Sequence, residues 1–179
     1  MSTRSQVKVI DDEPEGNFSE NVTLYHHHDG YPGHMVPLIH KAWKFGTKVH
    51  DKRYPNLELG KINRAGHVAA YLCYVHPLEF EPESGHELHG DIEWYYKVYV
   101  SNKTKSISIR KAGVGEWMVE IHVAKGDYGD GPTTTACVYK SPITEMITTK
   151  GTLKIDVARK IRSKTEDAYI GVDFAGKRL

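Results

Sequence analysis

The sequence predicts an α+β domain: two helices in the N-terminal half packed on a largely antiparallel, meander-like sheet. Three observations lead there. Apolar residues recur at helical spacing between Val36 and Cys73, a period-two alternation takes over from Asp91 onward, and glycine- or proline-bearing turns punctuate the alternating runs. A chain of 179 residues, 39% hydrophobic and 26% charged, is in the ordinary globular range. It is expected to form a flexible acidic lead-in over 1–21 and a single α+β domain over 22–179.

The elements follow in order. DDEPEGNFSEN, residues 11–21, is polar and carries Pro14 and Gly16, which makes it a lead-in. Val22 to His28 reads as a short strand, ended by the turn formers Asp29, Gly30, Pro32 and Gly33. Val36, Ile39 and Trp43 give a first helix that Gly46 is expected to stop. A loop over Thr47 to Asn63 leads to a second helix, about Arg64 to Val75, with Val68, Ala69, Leu72 and Cys73 on one face. IEWYYKVYV then alternates as a strand, with a hairpin turn at Ser101 to Thr104 and a return through SISIR. EWMVEIHVAK and TTTACVYK supply further strands, and Leu153-Ile155-Val157 and Ile170-Val172-Phe174 predict two more.

Charge and cysteine content narrow the function classes. The formal net charge is +1, from 24 basic and 23 acidic residues, so neither a nucleic-acid nor a membrane-surface binder is expected. Local imbalance remains: acids outnumber bases in residues 1–30, and Lys154, Arg159, Lys160, Arg162 and Lys164 concentrate positive charge near the other end. Cys73 and Cys137 are too few for a disulfide framework or a thiolate zinc site. A polar, acidic N-terminal stretch and the lack of any membrane-length apolar run lead to an expected cytoplasmic location, in which the three N-x-S/T sequons are chance matches. No phosphate-loop, dinucleotide-binding, EF-hand or serine-elbow pattern occurs.

The chemistry concentrates in two polar stretches. LYHHHDGYPGHMVPLIHKAW packs five of the eleven histidines into residues 26–40. If the chain is extended there, His27 and Asp29 share one side and His26 and His28 the other. A His beside a carboxylate suits either a base with its orienting acid or two ligands of a divalent metal. GHELHGDIE, residues 85–93, could supply the rest, giving a metal set of His27, Asp29, His86, His89 and Asp91. HELH is one residue short of the HExxH spacing, and its flanking glycines disfavour a helix. The remaining histidines of the first stretch, His26, His28, His34 and His40, are expected to be structural.

The run His27-His28-Asp29-Gly30-Tyr31-Pro32 resembles the HxDGYP motif of a family of small phage and prophage proteins. Asp91-Ile92-Glu93-Trp94-Tyr95-Tyr96 answers that family's later Asp-Ile-Glu-aromatic-x-Tyr strand. The two stretches cover about a tenth of the chain, and the resemblance singles out the same His27 and Asp29 pair. It implies a setting among phage accessory genes, and hence modulation of a host, including counter-defence. The expected protein is therefore a non-enzymatic binder acting in the host cytoplasm, with no cofactor. Its pocket would be built from His27, Asp29, Gly30, Tyr31, Pro32, Asp91 and Trp94, for a nucleotide-like small molecule or a host protein. Two alternatives stand beside it: a metal-dependent hydrolase or phosphoesterase using the five-residue metal set, and a structural or virion-associated protein that forms homo-oligomers.

Overall fold

The computed structural model describes residues 3–11, 21–53, 64–83, 88–100, 117–125 and 134–169. Their order is β1 (Ser5–Asp11), β2 (Asn21–His26), α1 (Pro32–Arg53), α2 (Ala65–Val75), β3 (Phe80–Glu83), β4 (Trp94–Val100), β5 (Met118–Lys125), β6 (Thr134–Pro142), the single turn α3 (Ile143–Met146) and α4 (Ile155–Tyr169). The strands make one six-stranded sheet in the order β3-β2-β1-β4-β5-β6. Every pairing is antiparallel except the central β1–β4 seam. Two antiparallel ribbons thus meet along a parallel join, and the α+β class with two helices in the N-terminal half holds.

Alternation within the strands splits the sheet into two faces. Val7 and Val9 of β1, Leu24 of β2, Tyr96 and Val98 of β4, and Val119 and Ile121 of β5 are buried in one core beneath α1 and α2. The cross-strand register builds that face in rows, one running Pro82-Leu24-Val7-Tyr96-Ile121-Tyr139. The next row toward the sheet end runs Phe80-His26-Ser5-Trp94-Val123-Ala136. On the opposite face Glu81, Tyr25, Gln6, Tyr95, His122 and Cys137 form a polar and aromatic row.

Three expectations change. Residues 5–11, inside the stretch read as a lead-in, form a central strand, because Val7 and Val9 bury on one side while Gln6 and Lys8 take the other; residues 12–20 lie outside the described ones. Gly46 does not stop α1. It is a close-approach point where a Cβ would meet the Tyr71 ring of α2 at 2.7 Å, so glycine there serves helix packing. The strand read from Leu153-Ile155-Val157 is not formed: Leu153 makes an isolated bridge with Ile147, and Ile155 starts α4, in which Ile155 is exposed while Val157, Ile161 and Thr165 form a buried stripe four residues apart. Three alternating residues were outweighed by a longer helical period. The hairpin at 101–104, the SISIR return and the segment 170–174 lie outside the described residues.

Candidate metal centre

The two polar stretches do meet, at one end of the open face. Tyr25 is the hub: its ring touches His27 edge-on at a centroid distance of 4.7 Å and His89 at 4.2 Å. Its hydroxyl donates to Asp91 at 3.0 Å, and His89 Nδ1 lies 2.7 Å from the same carboxylate, which also pairs with the Arg4 guanidinium. Burial alone would raise the Asp91 carboxyl, but the Tyr25 and His89 hydrogen bonds and the nearby cations outweigh it and hold its pKa below the usual range. Burial and the Asp91 carboxylate push the Tyr25 hydroxyl up to about 12. His27 Nε2 pairs with Glu81 at 3.1 Å. This is a satisfied polar network, with the carboxylate already engaged by three donors.

The HxDGYP segment behaves as a clamp. β2 ends at His26, and Asp29 takes a left-handed φ of 53°, so the strand alternation that paired Asp29 with His27 does not extend to it. Gly30 donates its N–H to the Thr3 carbonyl at 2.8 Å and accepts from the Tyr96 hydroxyl at 2.7 Å. A Cβ at Gly30 would come within 2.7–2.8 Å of the Arg4 carbonyl carbon, the Ser5 Cβ and the Ser5 nitrogen, which makes this the position where only glycine fits. Pro32 opens α1, where its missing N–H costs nothing. Asp29 and Tyr31 are exposed, and Trp94 is partly buried against the helix-side core. His86 lies outside the described residues.

What the clamp accomplishes is on the other face. It turns the chain from His26 into α1 within six residues, so that His34, in the first helical turn, comes back over the end of β2. α2 packs across β1 and β2 and ends at His76, whose N–H caps the helix by donating to the Leu72 carbonyl. Four residues later Phe80 pairs with His26 in the sheet. The three imidazoles therefore converge: ring centroids are 5.9 Å apart for His26 and His34, 5.6 Å for His26 and His76, and 5.5 Å for His34 and His76. One nitrogen from each lies within 4.8 Å of the other two.

Unpartnered buried nitrogens set this cluster apart. His26 is 0% exposed, and neither of its ring nitrogens has a partner. His34 Nε2 and His76 Nδ1 are also buried without partners, as is the Oγ of Ser5, the cross-strand neighbour of His26. Each such orphan costs about 1–3 kcal/mol relative to a paired group, and so concentrated a set requires a physical reason. Burial first, then the His76 and His34 rings, lower the His26 pKa to about 4, so the ring is neutral and keeps a lone pair for a metal. His34 and His76 are half-buried as residues, while His34 Nε2 and His76 Nδ1 are enclosed.

A second group of ligand-type atoms, Glu120, His122 and Cys137, gathers on the open face. Its atoms are occupied. His122 Nε2 lies 3.1 Å from Glu120, His122 Nδ1 lies 3.1 Å from the Thr135 hydroxyl, and Lys140 and Tyr99 both donate to Glu120. Among the described residues these are the two places where three such atoms gather, and neither is the set expected from sequence. His76 was missed altogether, since a lone histidine after an apolar helix carries no local signal. Comparison of the chain with family models, with curated proteins and with solved structures gives no match.

Proposed function

We propose that this protein is a metalloprotein in which His26, His34 and His76 hold one divalent transition metal, with zinc as the leading candidate, and that its activity is metal-assisted hydrolysis. The observation that carries the reading is the fully buried His26 ring with both nitrogens unpartnered, facing two half-buried imidazoles that each have one buried, unpartnered nitrogen. An all-imidazole set suits zinc, copper, cobalt or nickel and disfavours calcium and magnesium, which want oxygen ligands. Zinc–nitrogen bonds of about 2.0–2.1 Å would draw the three nitrogens to roughly 3.3 Å from one another, a small closure from their present separation. Three protein ligands leave a fourth position open, the arrangement that catalytic zinc uses to bind and acidify water. The reading does not depend on the phage and prophage resemblance.

Elemental analysis of the purified chain tests it. One equivalent of metal is expected, lost in His26→Leu and His76→Ala and retained in His28→Ala, whose ring is exposed. Metal-free protein that takes up no zinc on dialysis would remove the proposal. Hydrolysis is checked separately with chromogenic phosphate and carboxylate esters, and the turnover expected of the loaded protein should vanish in the same two variants.

A further inference from the structure

Resting on that centre, we infer that its exogenous ligand is an oxyanion of the phosphate type, bound at the open metal position and against the first turn of α1. Two helix ends meet at the cluster. His76 caps the C-terminal end of α2, where backbone carbonyls concentrate partial negative charge and no basic residue lies in the last turn; Lys41 reaches the Val75 carbonyl from α1 at 3.4 Å. That end favours a cation. His34 sits in the first turn of the 22-residue helix α1, whose N-terminal end favours an anion.

The first turn of α1 carries no compensating acid. Its N-cap position is held by Tyr31, which offers no short polar side chain to the free amides. The Tyr31 carbonyl accepts from both His34 and Met35 at 3.0 Å, Pro32 has no N–H, and the exposed Gly33 N–H makes no hydrogen bond among the described residues. The helix end therefore presents a free donor beside an imidazole of the cluster, and the fully buried, unpartnered His26 ring lies 5.9 Å from that imidazole. A metal ion alone would leave the Gly33 donor and the positive helix end unused. An anion on the metal uses both, and its charge offsets that of the dication.

Cobalt-substituted full-length chain provides the test, because tetrahedral cobalt reports its exogenous ligand in the visible spectrum. Cobalt stoichiometry is measured first, followed by titration with inorganic phosphate at constant ionic strength set by chloride. The expected result is one bound cobalt and a saturable phosphate-dependent change in the visible band. Tyr31→Asp and Tyr31→Asn both cap the helix, yet only the first adds a negative charge at its end. Phosphate should bind roughly three- to ten-fold more weakly to the Asp variant than to the Asn variant, with the phosphate-free cobalt spectrum the same in both. Bound cobalt with a spectrum indifferent to phosphate, or equal phosphate affinity in the two variants, overturns the oxyanion inference and leaves the metal centre standing. Failure to bind cobalt at all overturns both.

Discussion

His26 occupies a position where leucine would cost less. Its ring is wholly enclosed, with its centroid 4.8 Å from that of the Phe80 ring at a tilt of 58°, and neither nitrogen is paired. Replacing a buried unsatisfied polar side chain by an apolar one of similar volume is expected to stabilise the metal-free protein, by about 1–2 kcal/mol for His26→Leu. Urea denaturation in chelator measures this, and a clear loss of stability in the variant would mean that the ring has partners the centre does not need. Gly30 makes the opposite case. Gly30→Ala would drive a Cβ into the backbone at Arg4 and Ser5 and is expected to cost roughly 1–3 kcal/mol. Gly66→Ala, in α2 with nothing within 4 Å of the added carbon, should be neutral or stabilising by up to about 1 kcal/mol. At this scale the sequence was half legible. Turn chemistry pointed to Gly30 and Pro32, but extrapolating strand alternation through Asp29 put the emphasis on His27 and left His26 with a structural role. The left-handed Asp29 breaks the period at that point.

Among the elements, the β4-β5-β6 ribbon carries an internal electrostatic device. Burial would raise the Glu120 carboxyl, but hydrogen bonds from Lys140, His122 and Tyr99 more than offset it and bring its pKa down to about 2. His122 is itself lowered by burial despite Glu120, so a neutral ring that donates through Nε2 and accepts from Thr135 at Nδ1 fits both neighbours. A carboxyl depressed on folding stabilises the native state above its unfolded pKa and loses that contribution as pH falls through the folded value. Stability should therefore decline between about pH 4.5 and about pH 2 on account of Glu120. The loss is worth about 2 kcal/mol once solvent around the half-exposed Lys140 is allowed for. Glu120→Gln should flatten that part of a stability-against-pH curve, and an unchanged acid limb would show that the cluster contributes nothing there. α4 illustrates why elements misread: Leu153, Ile155 and Val157 alternate over five residues, yet the buried stripe at Val157, Ile161 and Thr165 persists over a longer stretch. Longer periodic segments carry the more reliable signal because each added buried contact reinforces the same face.

For the molecule as a whole, the centre joins β2, α1 and the end of α2, so a metal bound there stabilises the fold by mass action. At a free zinc concentration of about 100 times Kd the gain is about 2.7 kcal/mol, equivalent to roughly 5–10 °C in Tm for a chain of this size. Calorimetry with zinc and with chelator measures it; His34→Ala should lose the zinc-dependent shift and His28→Ala should keep it. No helix among the described residues is long and apolar enough to cross a membrane. The sequence by itself determined the α+β class, the two N-terminal-half helices, the three strands Trp94–Val100, Met118–Lys125 and Thr134–Pro142, and the turn at Gly30 to Pro32. All of these follow from short-range periodicity and backbone preference. Only the tertiary structure decided that β1 lies at the centre of the sheet, that the polar stretches around His27 and His89 meet over Tyr25, and that His26, His34 and His76 converge. Those outcomes depend on strand order and on where helix ends land, and contacts between residues fifty positions apart leave no periodic trace in the chain.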